Sequence, residues 1–566
     1  MFVGEEEDYI HGYLAWFCEA GYSDDGGCVA MDRHKRTEAV NGRKYGGSMS
    51  RLHEEFYPTY LDESLLLLDE ALIETENGIE REVQQAEKVP FVLDADKDKL
   101  WEYSGPGMSR RVHLYGTVLY DDLIGKYRMW YFCRMGPHWR VPNGNFQVPG
   151  LYMPRTDEKP YHCNGVTEDH YGRPFVDNDR GDLTCYAESD DGIKWVKLRI
   201  GDFSFNGNYD NNIFWDLHGA SVFIDREETD PTKRYKAIGF CRRYRNIFLI
   251  TSPDGLHWND KDHLDPVSER GNEGSFNVTF DARAQLFRAY SIVRFGDREK
   301  RRVICYTESP SLEGPWKDSR PMLEPSNWDD EMAHRKFGAL RAEFHNMSAL
   351  RYNNVHLGLL GVLNVTAEQI PKEANQVPCD GPVESQFVYS GDGINWAHAC
   401  RERTAAIPCG ARGAWDQGMV MGVAREPIIE GDDVHWYYTG CEHTHGETDM
   451  EKRTKRIGRA TWKRDRFVAL GAEGEGEILT KAISLPDEAT GLEVNTDARD
   501  GQVRVEVCDA EGEVLDGFTK EACGPLTGDV MHGPVGWDGK GIGDVRGPVK
   551  LRFCLDRANV YSFTLV

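Results

Sequence analysis

The chain has 566 residues, with 94 acidic against 67 basic side chains and a formal charge of −27. That negative excess argues against nucleic acid or an anionic membrane surface as partner, because each needs a basic face to bind. No apolar run approaches the roughly 18 residues of a membrane span, and a 40% hydrophobic share fits a soluble globular protein of several domains.

The opening residues Met1-Phe-Val-Gly-Glu-Glu-Glu-Asp carry acid where a secretory leader carries positive charge, so a cytoplasmic location is expected. The 14 cysteines are scattered from Cys18 to Cys554 with no CxxC pair, and read as reduced core thiols. Residues 1–100 form a mixed extension and lead-in, with helix expected over Leu61 to Ile73.

From about residue 101, glycine clusters separate short apolar runs, the texture of many strands joined by tight turns. One unit recurs as Tyr186 to Trp195, Leu249 to Trp258, Tyr306 to Trp316 and Val388 to Trp396. Three copies share Ser-x-Asp-Gly-x-x-Trp, and the third in chain order is stretched. Ser and Asp can bond back to turn amides, Gly permits positive φ, and Trp fills the gap between neighbouring sheets. Two strand-like runs precede each turn, and a fifth set lacking the box spans Val420 to Leu470. Four strands repeated five times predict a five-bladed β-propeller over residues 101–475. Beyond it, runs such as Val503-Arg-Val-Glu-Val and Tyr561-Ser-Phe-Thr-Leu-Val predict a C-terminal β-sandwich over 476–566. The expected class is therefore all-β.

Chain direction puts the start of each innermost strand on one face of the propeller and the Trp boxes on the other. His113, Asp216 with His218, Glu273 with Asn277, Glu343 with His345 and Asn346, and Asp416 fall on the first face. The boxes of Asp191, Asp254 and Asp392 fall on the second and read as structural. Long loops on the first face bring Trp139, Tyr152, Tyr161, Arg242, Arg243, Arg294 and the segment Cys441-Glu-His443-Thr-His445. Rings stack on sugar C–H faces and charged groups bond hydroxyls, so an oligosaccharide or glycoside is the expected ligand.

Cleaving a glycosidic bond takes one carboxylic acid and one carboxylate. Glu343, flanked by Phe344 and Met347, is the favoured acid, with Asp416 or Asp216 as nucleophile or base. His113, His218, Asn277, His345, Asn346, Trp139, Arg242, Arg294 and His443 are the expected substrate contacts. An isolated His-x-His is weak evidence for zinc, and neither a metal nor a cofactor is expected.

The motifs Ser64 to Ile73, Tyr115-Gly-Thr-Val-Leu, Asn211 to Asp216, Glu343-Phe-His-Asn-Met347, Trp415-Asp-Gln-Gly-Met419 and Pro525-Leu-Thr-Gly-Asp529 together resemble glycoside hydrolase family 32-like proteins over roughly residues 60–566. The resemblance implies a propeller followed by a sandwich, and a retaining furanosidase with an aspartate nucleophile, a glutamate acid/base and a third, stabilising carboxylate. Family 32 proteins proper place the nucleophile on the first blade in an Asn-Asp-Pro motif. The comparable strand here reads Val112-His-Leu-Tyr-Gly-Thr117, without a carboxylate. A glycoside hydrolase is the leading expectation. A phosphorylase using Arg242, Arg243, Arg294, Arg341 and Arg425 as a phosphate cradle, and a non-catalytic sugar-binding propeller, are the alternatives. Homo-oligomer formation is left open.

Overall fold

Antiparallel hairpins dominate because β-branched and aromatic runs alternate with Asp-Gly turns throughout the middle of the sequence. The computed structural model describes residues 56–99, 101–102, 110–134, 182–201, 209–215, 217–241, 246–258, 276–295, 301–368, 379–449 and 452–566. All fall in the second of two units divided near residue 46. No helix among them is long and apolar enough to cross a membrane.

Successive strand groups follow the chain. The first pairs Arg110–Asp121 with Lys126–Arg134 and Asp182–Ser189, and the second Ser221–Ile224 with Tyr235–Cys241 and Asn246–Ser252. The next runs Asn277–Asp281, Leu286–Phe295, Arg301–Ser309 and Arg320–Leu323. Another joins Arg341–Tyr352, Val355–Val365 and Val383–Ser390, and the last joins Met419–Val423, Asp433–Cys441 and Thr454–Lys463. Parallel pairing of Val383 with Met419, and of Lys455 with Arg111, merges the last two groups and the first into one sheet.

Box tryptophans stitch neighbouring groups together. Trp195 meets Tyr437 edge-on at 5.7 Å, Trp258 stacks on Phe214 at 5.3 Å, and Trp396 meets Tyr290 at 5.6 Å. Each box Asp accepts from the two backbone amides that follow the turn, as Asp254 does from Leu256 and His257 at 2.8 Å each. A second repeat, which the sequence reading missed, braces the first and third groups. Arg128 is buried between Asp121 and Tyr186, and Arg288 between Asp281 and Tyr306, each arginine seven residues after its aspartate.

The helix expected over Leu61 to Ile73 is not formed. Ser64–Leu66 pairs with Ser562 to Thr564, Ile73–Asn77 with Glu477 to Thr480, and Glu80–Val83 with Val468 to Gly471. Leu65 to Leu68 are all buried, the first two in the strand and the next two in the turn that follows it, so a run with no helical period is fully covered. These strands complete a seven-stranded sheet with Val468–Thr480, Leu492–Cys508, Leu526–Val535 and Lys550–Leu565. One α-helix, Asn327–Phe337, is present among the described residues, opened by a Ser326/Asp329 capping box and closed by Gly338.

Candidate functional site

The site is built around Tyr115. In the strand Arg110–Asp121 the pairing register shifts between His113 and Thr117, and a β-carbon on Gly116 would fall 2.0 Å from the Trp130 carbonyl oxygen. Only glycine permits that close approach, and the resulting bulge sets His113 and Tyr115 against one another, edge to face, with ring centroids 4.2 Å apart. His218 packs on Phe132 at 4.7 Å and on Tyr115 at 5.6 Å, held by its own amide on the Phe240 carbonyl at 2.7 Å. A second bulge, between Phe344 and Asn346, turns His345 toward the same place.

From there a chain of polar contacts runs outward. The Tyr115 hydroxyl lies 3.3 Å from His345 Nδ1, His345 Nε2 lies 3.2 Å from His445 Nε2, and His445 Nδ1 lies 3.4 Å from the Cys379 carbonyl oxygen. Asn346 accepts from the Gly422 amide at 3.4 Å. Asn277 donates to the Met347 carbonyl at 2.6 Å, and His443 Nδ1 meets the Thr444 carbonyl at 2.8 Å. The structure thus brings His113, His218, His345 and Asn346 together around Tyr115, and adds His445, which had been weighed only as half of a weak metal motif.

Burial keeps His113, His443 and His445 neutral. It holds His113 and His445 well below the ordinary histidine range, helped by Lys455 beside the first and Arg302 beside the second. His443 is pushed down to about 3 by burial, with Lys455, Arg111 and Arg453 opposing its charge. Three polar atoms, His113 Nε2, Asn346 Nδ2 and His443 Nε2, are buried without a hydrogen-bond partner among the described residues. Leaving such atoms unpaired costs about 1–3 kcal/mol each.

The carboxylates behave differently from one another. Glu343 is 0% exposed beside buried Phe344 and Met347, so the expected desolvation is present. Its oxygens, however, accept from Arg302 at 2.7 Å and from Arg341 at 3.0 and 2.7 Å. Two guanidinium groups thus meet this one carboxyl. Asp416 accepts from Lys88 at 2.8 Å and from the Tyr438 hydroxyl at 3.0 Å, with Trp415 stacked on Tyr438 beside it. It shares neither arginine with Glu343. Asp216, Glu273, Trp139, Tyr152, Tyr161, Arg242 and Arg243 lie outside the described residues, as does the side chain of Arg294. No group of three or more His, Cys, Asp or Glu side chains among the described residues is arranged to hold a metal.

Of the arginines weighed as a phosphate cradle, Arg341 is bound to Glu343 and Glu368. Arg425 is bound to Glu426 and the Val278 carbonyl.

The solved structures with which the chain aligns include several glycan-processing enzymes. Among them are an N-acetylgalactosamine deacetylase from F. plautii in complex with blood group B trisaccharide (TM-score 0.38, 12% identity, 69% of this chain and 97% of that one), the α-L-arabinofuranosidase of Podospora anserina in complex with cellotriose (0.36, 10%, 67% and 98%) and a GH32 β-fructofuranosidase from Bombyx mori (0.33, 9%, 81% and 94%). No protein-family model matches the chain, and no curated relative matches it.

Proposed function

We propose that the protein is a glycoside hydrolase whose substrate binds over Tyr115, in a five-bladed propeller spanning residues 101–475 with a C-terminal sandwich over 476–566. The observation that carries this reading is the set of unpaired buried polar atoms on His113, Asn346 and His443. They come from three different parts of the chain, and His113 packs against Tyr115 and Phe132. A sugar hydroxyl both donates and accepts, so a polyhydroxylated ligand can satisfy all three. The circuit of box tryptophans and parallel bridges supports the propeller.

Glu343 suits the role of ionised carboxylate facing the positive charge that develops on the sugar ring, since Arg302 and Arg341 stabilise its charge. Asp216 is proposed as the partner carboxyl. Asp416 is left out of the chemistry because Lys88 and Tyr438 already engage it. The test is a screen of aryl furanosides and other aryl glycosides, followed by Glu343→Gln. Turnover should vanish while sugar binding persists, and wild-type rates in that variant would remove Glu343 from the mechanism.

A second reading, a sugar-binding propeller without turnover, draws support from Glu343 and Asp416 occupying separate networks. Saturable binding of a sugar that the wild-type chain never cleaves would favour it.

A further inference from the structure

Arg453 is buried, yet it forms no ion pair among the described residues, and its Nε donates to the Glu447 backbone carbonyl at 2.5 Å. The carboxylates near it are turned to backbone amides, Asp380 to those of Gly381 and Gly446 at 2.7 Å each and Glu447 to that of Asp449 at 2.8 Å. Burial lowers its hold on the proton, the mark of a cation short of a counter-charge.

This cation belongs to the wall of the site. Cys441 pairs with Lys455 and Lys455 with Arg111, so the three side chains share one face of the sheet. Cys441 and Met421 join Tyr115 in one apolar cluster, and Lys455 Nζ lies 3.5 Å from Met421 Sδ. His443 follows two residues after Cys441, and Arg453 stands two before Lys455. The charges of Lys455, Arg111 and Arg453 all bear on His443, whatever else the first two bond. The Thr444 carbonyl only accepts, so the hydrogen of neutral His443 is on Nδ1. Its Nε2 is then a buried acceptor with no donor against it.

We propose that this wall recognises an oxyanion with a hydroxyl beside it: the anionic oxygens lie against Arg453, within the field of Lys455 and Arg111, and the hydroxyl donates to His443 Nε2. A sugar acid carries both groups, and so does hydrogen phosphate. The sugar acid rests on the carbohydrate reading above, whereas the oxyanion does not. Guanidinium groups match the geometry of carboxylate and phosphate oxygens, and a ligand that supplies the missing counter-charge removes the cost of burying Arg453 alone. With a formal charge of −27 over the whole chain, the long-range field repels anions, so the selection is made by these cations at close range.

Two measurements on the full-length chain test the proposal. Calorimetric titration would compare methyl glucuronosides and galacturonosides with the matching glucosides and galactosides, and with inorganic phosphate alone. An acidic glycoside should bind at least about tenfold more tightly than its neutral counterpart, the worth of one hydrogen bond to a charged group. Arg453→Gln should bring that ratio to within about twofold of unity and Arg453→Lys should keep part of it, with urea midpoints showing that both variants fold. Phosphate that binds, is weakened likewise by Arg453→Gln and is needed for turnover of a neutral glycoside would make free phosphate the source of the oxyanion. Equal affinities for acidic and neutral sugars, with no binding of phosphate, overturn the proposal and leave the carbohydrate reading standing. Phosphate binding lost in Arg453→Gln, with no sugar bound, upholds the oxyanion site while the carbohydrate reading fails, and no binding by any probe overturns both. Nitrogen-15 NMR of the histidine-labelled, ligand-free protein should show His443 protonated at Nδ1 alone, and a proton on Nε2 overturns the proposal.

Discussion

The ammonium group of Lys88 donates to Asp416 at 2.8 Å, joining residues 328 positions apart in the chain. The same oxygen accepts from Tyr438, whose hydroxyl is pushed far up by burial and by the charge of Asp416. Asp416→Ala should therefore cost about 2 kcal/mol of stability, the order found for hydrogen bonds to a charged group. Chemical denaturation would measure it. Sugar binding at a permissive temperature should be unaffected, and a selective loss of turnover in a fully folded variant would return Asp416 to the chemistry.

Glu343 sits between two cations it alone joins. Truncating it to Ala removes the carboxylate that Arg302 and Arg341 share, a loss of about 3–5 kcal/mol. Combining it with Arg302→Ala should recover part of that loss. A double-mutant cycle with strictly additive terms would show that the pair is not coupled.

Acid should weaken the fold earlier than carboxylate titration alone predicts. Burial pushes His356 down to about 4 despite the Asp281 oxygen 3.3 Å away, and pushes His443 down to about 3. Once unfolded, both take up a proton near pH 6.5, so below that pH the unfolded chain binds more protons than the folded one. Stability is full above pH 6.5 and declines as pH falls toward 4 and then 3, with His356 contributing about 3 kcal/mol over its own range. Urea midpoints that stay flat from pH 6.5 to 4.5 would contradict this.

The box turns are predicted to hold the sheets and leave the chemistry alone. Gly255 has φ +75°, and a β-carbon there would lie 2.9 Å from the Arg128 guanidinium. Gly255→Ala should destabilise by about 2 kcal/mol, through left-handed backbone strain and displacement of Arg128. Asp254→Ala should cost about 1 kcal/mol through two lost turn bonds. Neither should shift KM for a sugar by more than about twofold, and a larger shift would place the box near the ligand.

What the sequence disclosed tracks how local each interaction is. The Ser-x-Asp-Gly-x-x-Trp turns close within seven residues, so their bonds could be read directly. The Asp121/Arg128 and Asp281/Arg288 braces were equally local, and their common spacing of seven was the signal overlooked. His113, His218, His345 and Asn346 were found from strand starts alone, because a repeated sheet delivers each start to one face. Polar partners were not legible. The apolar neighbours of Glu343 can be read from the sequence, while its partners include Arg302, 41 residues upstream on another strand group. Tyr115 went unnoticed as a polar centre because its partner His345 lies 230 residues away. Leu65 to Leu68 do not read as strand locally because the strand beside them lies some 500 residues downstream.

That last pairing bears on biosynthesis. Ser64 and Thr564 touch although they lie 500 positions apart, so a ribosome must polymerise that whole stretch before the leucine-rich segment finds its cover. Until then four consecutive greasy side chains remain available to chaperones or to like segments on other nascent molecules. Yield in the cell should accordingly respond to holdase supply more sharply than the finished molecule's resistance to denaturant would suggest.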